Sequence, residues 1–214
     1  MRALRPCVLR CWGPDVQQSW LPILLGVVLV AGLGGLGYLG GRAWGKATQG
    51  ARARKRLLRC ANEYLTDVLL PDGIEGSLHV DYVLLTRFGI LVVDFRDLQG
   101  VVFAAERMEE WAVMDGSRRS SLRNPLGGLY DRVQSVRQIC PEIPVDGRVV
   151  TTRAQFPRGR PDLVMPLDDL VKELGFVKRK EQAPELSALR PAWERLVAAT
   201  TPNPLGARKK LRRL

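Results

Sequence analysis

The sequence predicts an α/β domain carried behind one N-terminal transmembrane helix. Three observations predict it. Residues 16–41 contain no charged side chain, and the apolar stretch 20–41 is 22 residues long. Short runs of branched residues with turn signals between them follow, as in "SLHVDYVLLT" and "GILVVDF". Stretches with helical spacing flank those runs on both sides.

The elements are taken in order. At about 1.5 Å per residue, 20–41 is long enough to cross a hydrocarbon core of about 30 Å. Trp20 opens it, and Tyr38 and Trp44 stand near its far end, where aromatic rings favour the interface. A cleaved signal peptide would have a shorter apolar core and a small-residue cleavage site after it, whereas this stretch runs into Arg42 and a basic cluster. Three bases precede the span and seven follow it within 42–59, so its C-terminal side is expected in the cytoplasm. Seven glycines lie within 26–41, and Gly37 and Gly41 have the small-xxx-small spacing of self-associating spans.

Beyond the span, 51–69 reads as a helix, with Leu57, Leu58, Ala61, Tyr64, Leu65 and Val68 at three- and four-residue steps. "PDG" at 71–73 ends it. Strands are expected at 77–86, 89–95, 100–106, 110–114, 148–152 and 162–165. Helices are expected at 124–139, at 166–175 with Gly175 as cap, and at 187–200, where Pro191 would delay the start. The organisation is a short segment 1–19, the span 20–41, a basic juxtamembrane segment 42–59 running into the first helix, a domain over 60–175, and a C-terminal helix and basic tail over 176–214.

The net charge of +11 points first to a nucleic-acid binder, but its distribution matters more. Of 33 bases, three lie in 1–41, seven in 42–59 and five in 205–214, which leaves 18 against 21 acids in 60–204. The basicity belongs to the flanks, and the juxtamembrane cluster suits anionic headgroups at about 1 kcal/mol per base. One internal stretch is basic: from Arg118 to Arg160 nine arginines face only Asp131, Glu142 and Asp146. That stretch is the best nucleic-acid surface in the domain, and equally reads as a solvated face.

Cys7, Cys11, Cys60 and Cys140 form no CxxC pair, which argues against a zinc site and a secreted disulfide framework. His79 is the only histidine, no G-x-S-x-G elbow occurs and no phosphate-binding G-x-x-x-x-G-K-[ST] loop occurs, which leaves serine hydrolases and P-loop nucleotidases without support.

The chemistry gathers at "ILVVDFRD", 90–97. Side chains alternate along a strand, so Asp94 and Arg96 share a face. Three registers are open for the hairpin around Thr86–Gly89. In one, Asp81 stands opposite Asp94; in a second it stands opposite Arg96; in the third it is diagonal to both. Opposed Cβ atoms lie about 5 Å apart. Two carboxylates at that distance repel unless a cation intervenes, and Mg2+ or Mn2+ takes few protein oxygens plus water and phosphate. The arrangement therefore fits metal-assisted phosphodiester hydrolysis, and it equally fits an ordinary cross-strand ion pair. His79, two residues before Asp81, is a further candidate for metal or phosphate, or for a structural contact.

The order of residues resembles the nuclease-related domain, NERD, of the restriction-endonuclease-like PD-(D/E)xK superfamily. Glu63 stands at the helix acid, Val80-Asp81 at the hydrophobic-Asp pair and Gly89 at the turn glycine. Asp94-Phe95-Arg96 stands at E-x-K, followed by Gly100, Trp111 and Asn124-Pro125, over roughly 53–172. The resemblance implies a restriction-endonuclease-like mixed sheet flanked by helices, and a bacterial setting, hence a single-pass protein of the inner membrane. It implies catalytic roles for Glu63, Asp81, Asp94 and Arg96, with Asp81 and Asp94 as ligands of Mg2+ or Mn2+. Two departures stand out. Arg96 replaces lysine, which keeps the charge but cannot surrender a proton as a base. Gly128 replaces glutamine. Two readings follow: a membrane-anchored metal-dependent nuclease acting on DNA or RNA, or an inactive module that binds nucleic acid or a protein partner at the membrane.

Overall fold

The computed structural model describes residues 49–73, 76–177 and 184–204. The expected span over 20–41 lies outside the described residues, and among those residues no helix is long and apolar enough to cross a membrane.

The frame is one long strand. β3 (Gly89–Phe103) merges the two strands expected at 89–95 and 100–106, with a register irregularity between Arg96 and Gln99. On one edge it pairs in parallel with β6 (Val145–Gln155), from Ile90 to Val101. The other edge is shared. β2 (Ser77–Thr86) pairs antiparallel with its first part, Thr86↔Gly89 to Tyr82↔Val93. β4 (Glu110–Asp115) pairs antiparallel with its last part, Val101↔Met114 to Phe103↔Ala112. Between Val93 and Val101 that edge has no strand neighbour among the described residues, so the sheet forks there. Outward from β2 come β1 (Glu63–Pro71) and the two-residue β8 (Thr201–Pro202); outward from β4 comes β5 (Arg118–Arg123), and from β6 comes β7 (Val164–Pro166).

Helices cover the sheet on both sides. α2 (Leu126–Ile139) and α4 (Pro184–Ala199) supply Leu126, Leu129, Val136, Trp193 and Leu196 to a core shared with Val83, Ile90, Val92, Val113 and Trp111. The first helix, α1 (49–58), and α3 (Leu167–Leu174) cover the opposite side, where Leu57, Leu167 and Leu170 meet Leu84, Leu91, Val93 and Phe95. α3 ends at Gly175, whose positive φ of 72° is open to glycine and strained for other residues.

Three expectations are corrected. The helix expected over 51–69 stops at 58 and the chain turns into β1, so Glu63 lies on a strand. Leu65 and Val68 sit three apart on one face because Asp67, at φ 55°, interrupts the ladder between Thr66↔Tyr82 and Val68↔Val80. That break in the alternation, with the register unchanged on either side of it, imitates a helical step. Pro191 lies inside α4 instead of starting it. β5 is an additional strand, closed onto β4 through Gly116 at φ 63°; its sequence RRSSLR is polar because it is an exposed sheet edge.

Candidate functional site

Of the three registers open to the hairpin, the structure adopts the one that leads Asp81 toward Asp94: Tyr82 pairs with Val93, and the ladder ends there. At that point the Asp81 carboxylate replaces a backbone acceptor, with Oδ2 taking the Phe95 N–H at 3.2 Å. Asp81, Asp94 and Arg96 therefore meet at the fork of the sheet.

Asp94 is the centre of the cluster, with a side chain only 1% exposed. Arg96, two residues on, donates from Nη2 to Asp94 Oδ2 at 2.9 Å. Arg96 Nε also lies 2.5 Å from Asp94 Oδ1, as a charge contact without hydrogen-bond alignment. A second guanidinium comes from α2: Arg132 Nη1 donates to Asp94 Oδ2 at 2.8 Å, and Arg132 Nε to the His79 carbonyl oxygen at 2.6 Å. On the far edge of β3, Thr151 stands beside Arg96 and buries its hydroxyl.

Asp81 is half-buried, and burial pushes its carboxyl above the ordinary aspartate value. The charge of Asp94 pushes the same way, while the Phe95 N–H, Arg96 and His79 pull it back. His79 bridges outward: Nε2 lies 2.7 Å from Asp67 Oδ1, and Nδ1 3.9 Å from Asp81 Oδ1. Asp67 also accepts from Asn203 Nδ2 at 2.8 Å.

Glu63 is not part of this cluster. It pairs with Leu85, four positions along β2 from Asp81, or roughly 13 Å at about 3.3 Å per residue. Both its oxygens are engaged by α4, Oε1 by Arg190 Nη2 at 3.0 Å and Oε2 by Trp193 Nε1 at 2.8 Å.

The other residues that carried the resemblance build the frame. Gly89 and Gly100 have φ of 125° and 92°, and a side chain there would strike the backbone of Pro144 and Met114 respectively. Trp111 is fully buried and donates to the Ala105 carbonyl at 3.1 Å. Asn124 ties the loop before α2 together: Nδ2 donates to the carbonyls of Glu106 and Met108, and Oδ1 accepts the Leu126 N–H. Burial raises the thiols of Cys60 and Cys140 above the ordinary cysteine value, so neither is a ready nucleophile. An open groove of about 630 Å³ lies at the start of β3, among Phe88, Ile90, Pro144 and Leu174, and none of the predicted site residues lines it.

Arg132 is the residue that the sequence reading missed. It is 38 positions from Asp94 and sits in a stretch rich in arginine, so no local spacing marks it.

Whether a divalent ion suits the cluster is a question about donors. Among the described residues, no group of three or more His, Cys, Asp or Glu side chains could hold a metal ion. Of the two acids at the fork, Asp94 has both oxygens against guanidiniums. Two carboxylates already balanced by two arginines do not fit Mg2+ or Mn2+.

A mixed sheet between two helical layers, with an acid pair at its fork, defines an α/β domain. Residues 46–152, half of the 214-residue chain, match the model of NERD, the nuclease-related domain, and the chain belongs to that family. No curated protein matches it, and no solved structure does.

Proposed function

We propose that this is a membrane-anchored member of the nuclease-related family that binds nucleic acid without metal-dependent cleavage. The observation that carries the reading is the pair of arginines on Asp94. A carboxylate that orients a catalytic metal must offer lone pairs to it, and here they face guanidiniums. Arg96 cannot act as a base in place of lysine. The residue order of the restriction-endonuclease-like superfamily is the source of this frame, with the acid pair kept as an internal salt cluster.

What lies beyond the fork suits nucleic acid. Arg119 and Arg123 of β5 are exposed and share a face with Met114 and Phe103 through the rows Val101–Met114–Arg119, Phe103–Ala112–Ser121 and Glu110–Arg123, the last of which sets an acid opposite Arg123. The Arg158 guanidinium sits 5.4 Å above the Phe103 ring. Arginines around apolar and aromatic side chains suit a phosphate backbone with bases against its rings. The span 20–41 would hold this domain at the cytoplasmic face of the inner membrane as a single-pass protein, with self-association through its glycines.

The test uses the full chain in neutral-lipid nanodiscs, with labelled single- and double-stranded DNA and RNA, with and without Mg2+ or Mn2+. Binding that weakens steeply with salt and leaves the strands intact is expected. The double substitution R119E/R123E should weaken it and lower the slope of log affinity against log salt by about 2. Cleavage that disappears in D94A would overturn the reading, and so would a lack of binding at low salt.

A further inference from the structure

The two guanidiniums on Asp94 have different origins. Arg96 is two residues away on the same strand and the same face, so β3 itself brings it to Asp94. Arg132 arrives from α2. Its Nη1 reaches Asp94 on β3 at 2.8 Å and its Nε reaches the His79 carbonyl on β2 at 2.6 Å, so it ties the helix to both arms of the fork. Gly128, one helical turn earlier, leaves the room. A Cβ at position 128 would already touch Arg132 Nη2 and Nη1 at 3.6 and 3.7 Å, and a longer side chain would compete for the space of the guanidinium.

We infer that Arg132 is a resident cation masking a latent divalent-cation site formed by Asp81 and Asp94. The inference deepens the non-hydrolytic reading above, on which it rests. Asp81 and Asp94 carry two negative charges, and Arg96 and Arg132 return two positive ones. Adding a divalent ion to that balance would place it beside two guanidiniums around a carboxylate that is 1% exposed, where screening by water is weak. Without Arg132 the same cluster has an excess of negative charge, and Asp94 Oδ2 loses the donor that reaches it across the fork. Two carboxylates on adjoining strands, plus water, are then a donor set that a hard divalent ion accepts. Asp67 is drawn away from this cluster by His79 and Asn203. The identity of position 132, and the space left for it at position 128, thus decide whether the fork takes a metal.

The test is Mn2+ binding by the full chain in detergent, read from the paramagnetic resonance signal of free Mn2+ and from the shift in Tm on adding the ion. Wild type is expected to take up none at the fork and to keep its Tm. R132M should bind one Mn2+ per chain and gain Tm with it, and R132M/D81N should lose both effects. R132K, which keeps a cation at this position, should stay free of Mn2+. Uptake by wild type that D94N abolishes would overturn the inference. A folded R132M that binds no Mn2+ would also overturn it, as would an R132M that folds neither alone nor with Mn2+ present. These readouts do not involve nucleic acid. If strand binding fails while the Mn2+ pattern holds, the functional reading falls and the masked site stands.

Discussion

Asp94 and Glu63 are both acids gripped by two donors from side chains, yet they make opposite kinds of contact. Asp94 sits at the fork of the sheet with its side chain 1% exposed, and both its partners are guanidiniums. Glu63 sits near the start of β1 with its side chain 36% exposed, held by one guanidinium and one indole N–H from α4. The first centres on a carboxylate removed from water, whose loss leaves two guanidiniums without their shared counter-charge. The second is a pairing that water can screen and largely replace. Matching a family's acidic positions does not by itself distinguish these cases. Burial and the donors that reach each oxygen do.

The largest expected effect breaks the first region. D94A leaves Arg96 and Arg132 facing each other without their shared counter-charge, and removing one member of a buried ion pair costs about 3–5 kcal/mol. Urea unfolding of the full chain in detergent should show a loss in that range. A loss below about 1 kcal/mol would mean that the arginines find water instead. The second region should yield less. E63A removes the acceptor of the Trp193 indole, whose residue is 3% exposed, at about 1–2 kcal/mol. E63Q still offers an acceptor and gives up only an exposed ion pair, worth about 0.5 kcal/mol. A cost for E63Q as large as that for D94A would erase the contrast between the two regions.

What could be read from the sequence follows the same physics. β2 and β3 were legible because they are runs of branched residues whose faces are fixed by alternation, and Asp94 with Arg96 followed from that alternation alone. The register was legible only as three choices, because the turn centre depends on local geometry around Arg87 and Phe88. β1 was misread because the positive φ at Asp67 breaks the alternation and puts Leu65 and Val68 on one face at a helical interval. β5 was not legible because an exposed edge strand carries no apolar alternation. Arg132 was out of reach for a different reason: its role exists only once α2 has packed over the fork. The one local hint was Gly128, a small residue where the resemblance leads one to expect glutamine.

The smallest expected effect sharpens the comparison within the fork itself. Asp81 shares the cluster with Asp94 but is bonded by no guanidinium among the described residues, and its carboxyl lies above the ordinary aspartate value through burial and the charge of Asp94. A carboxyl whose folded pKa exceeds its unfolded value binds more protons in the folded state over that interval. Its contribution to stability is therefore full below the unfolded value, about 3.9, and is lost as pH rises through the higher folded value. At neutral pH the ionised Asp81 works against folding. D81N removes that charge and keeps an oxygen to accept the Phe95 N–H, so it should raise Tm at pH 7. The advantage should shrink as pH falls through the folded value and vanish near pH 3, about one unit below the unfolded value. Thermal melts of both proteins across that range measure the difference directly. A destabilised D81N at pH 7 would mean that the charge on Asp81 is held by Arg96 and His79 more firmly than burial and Asp94 oppose it.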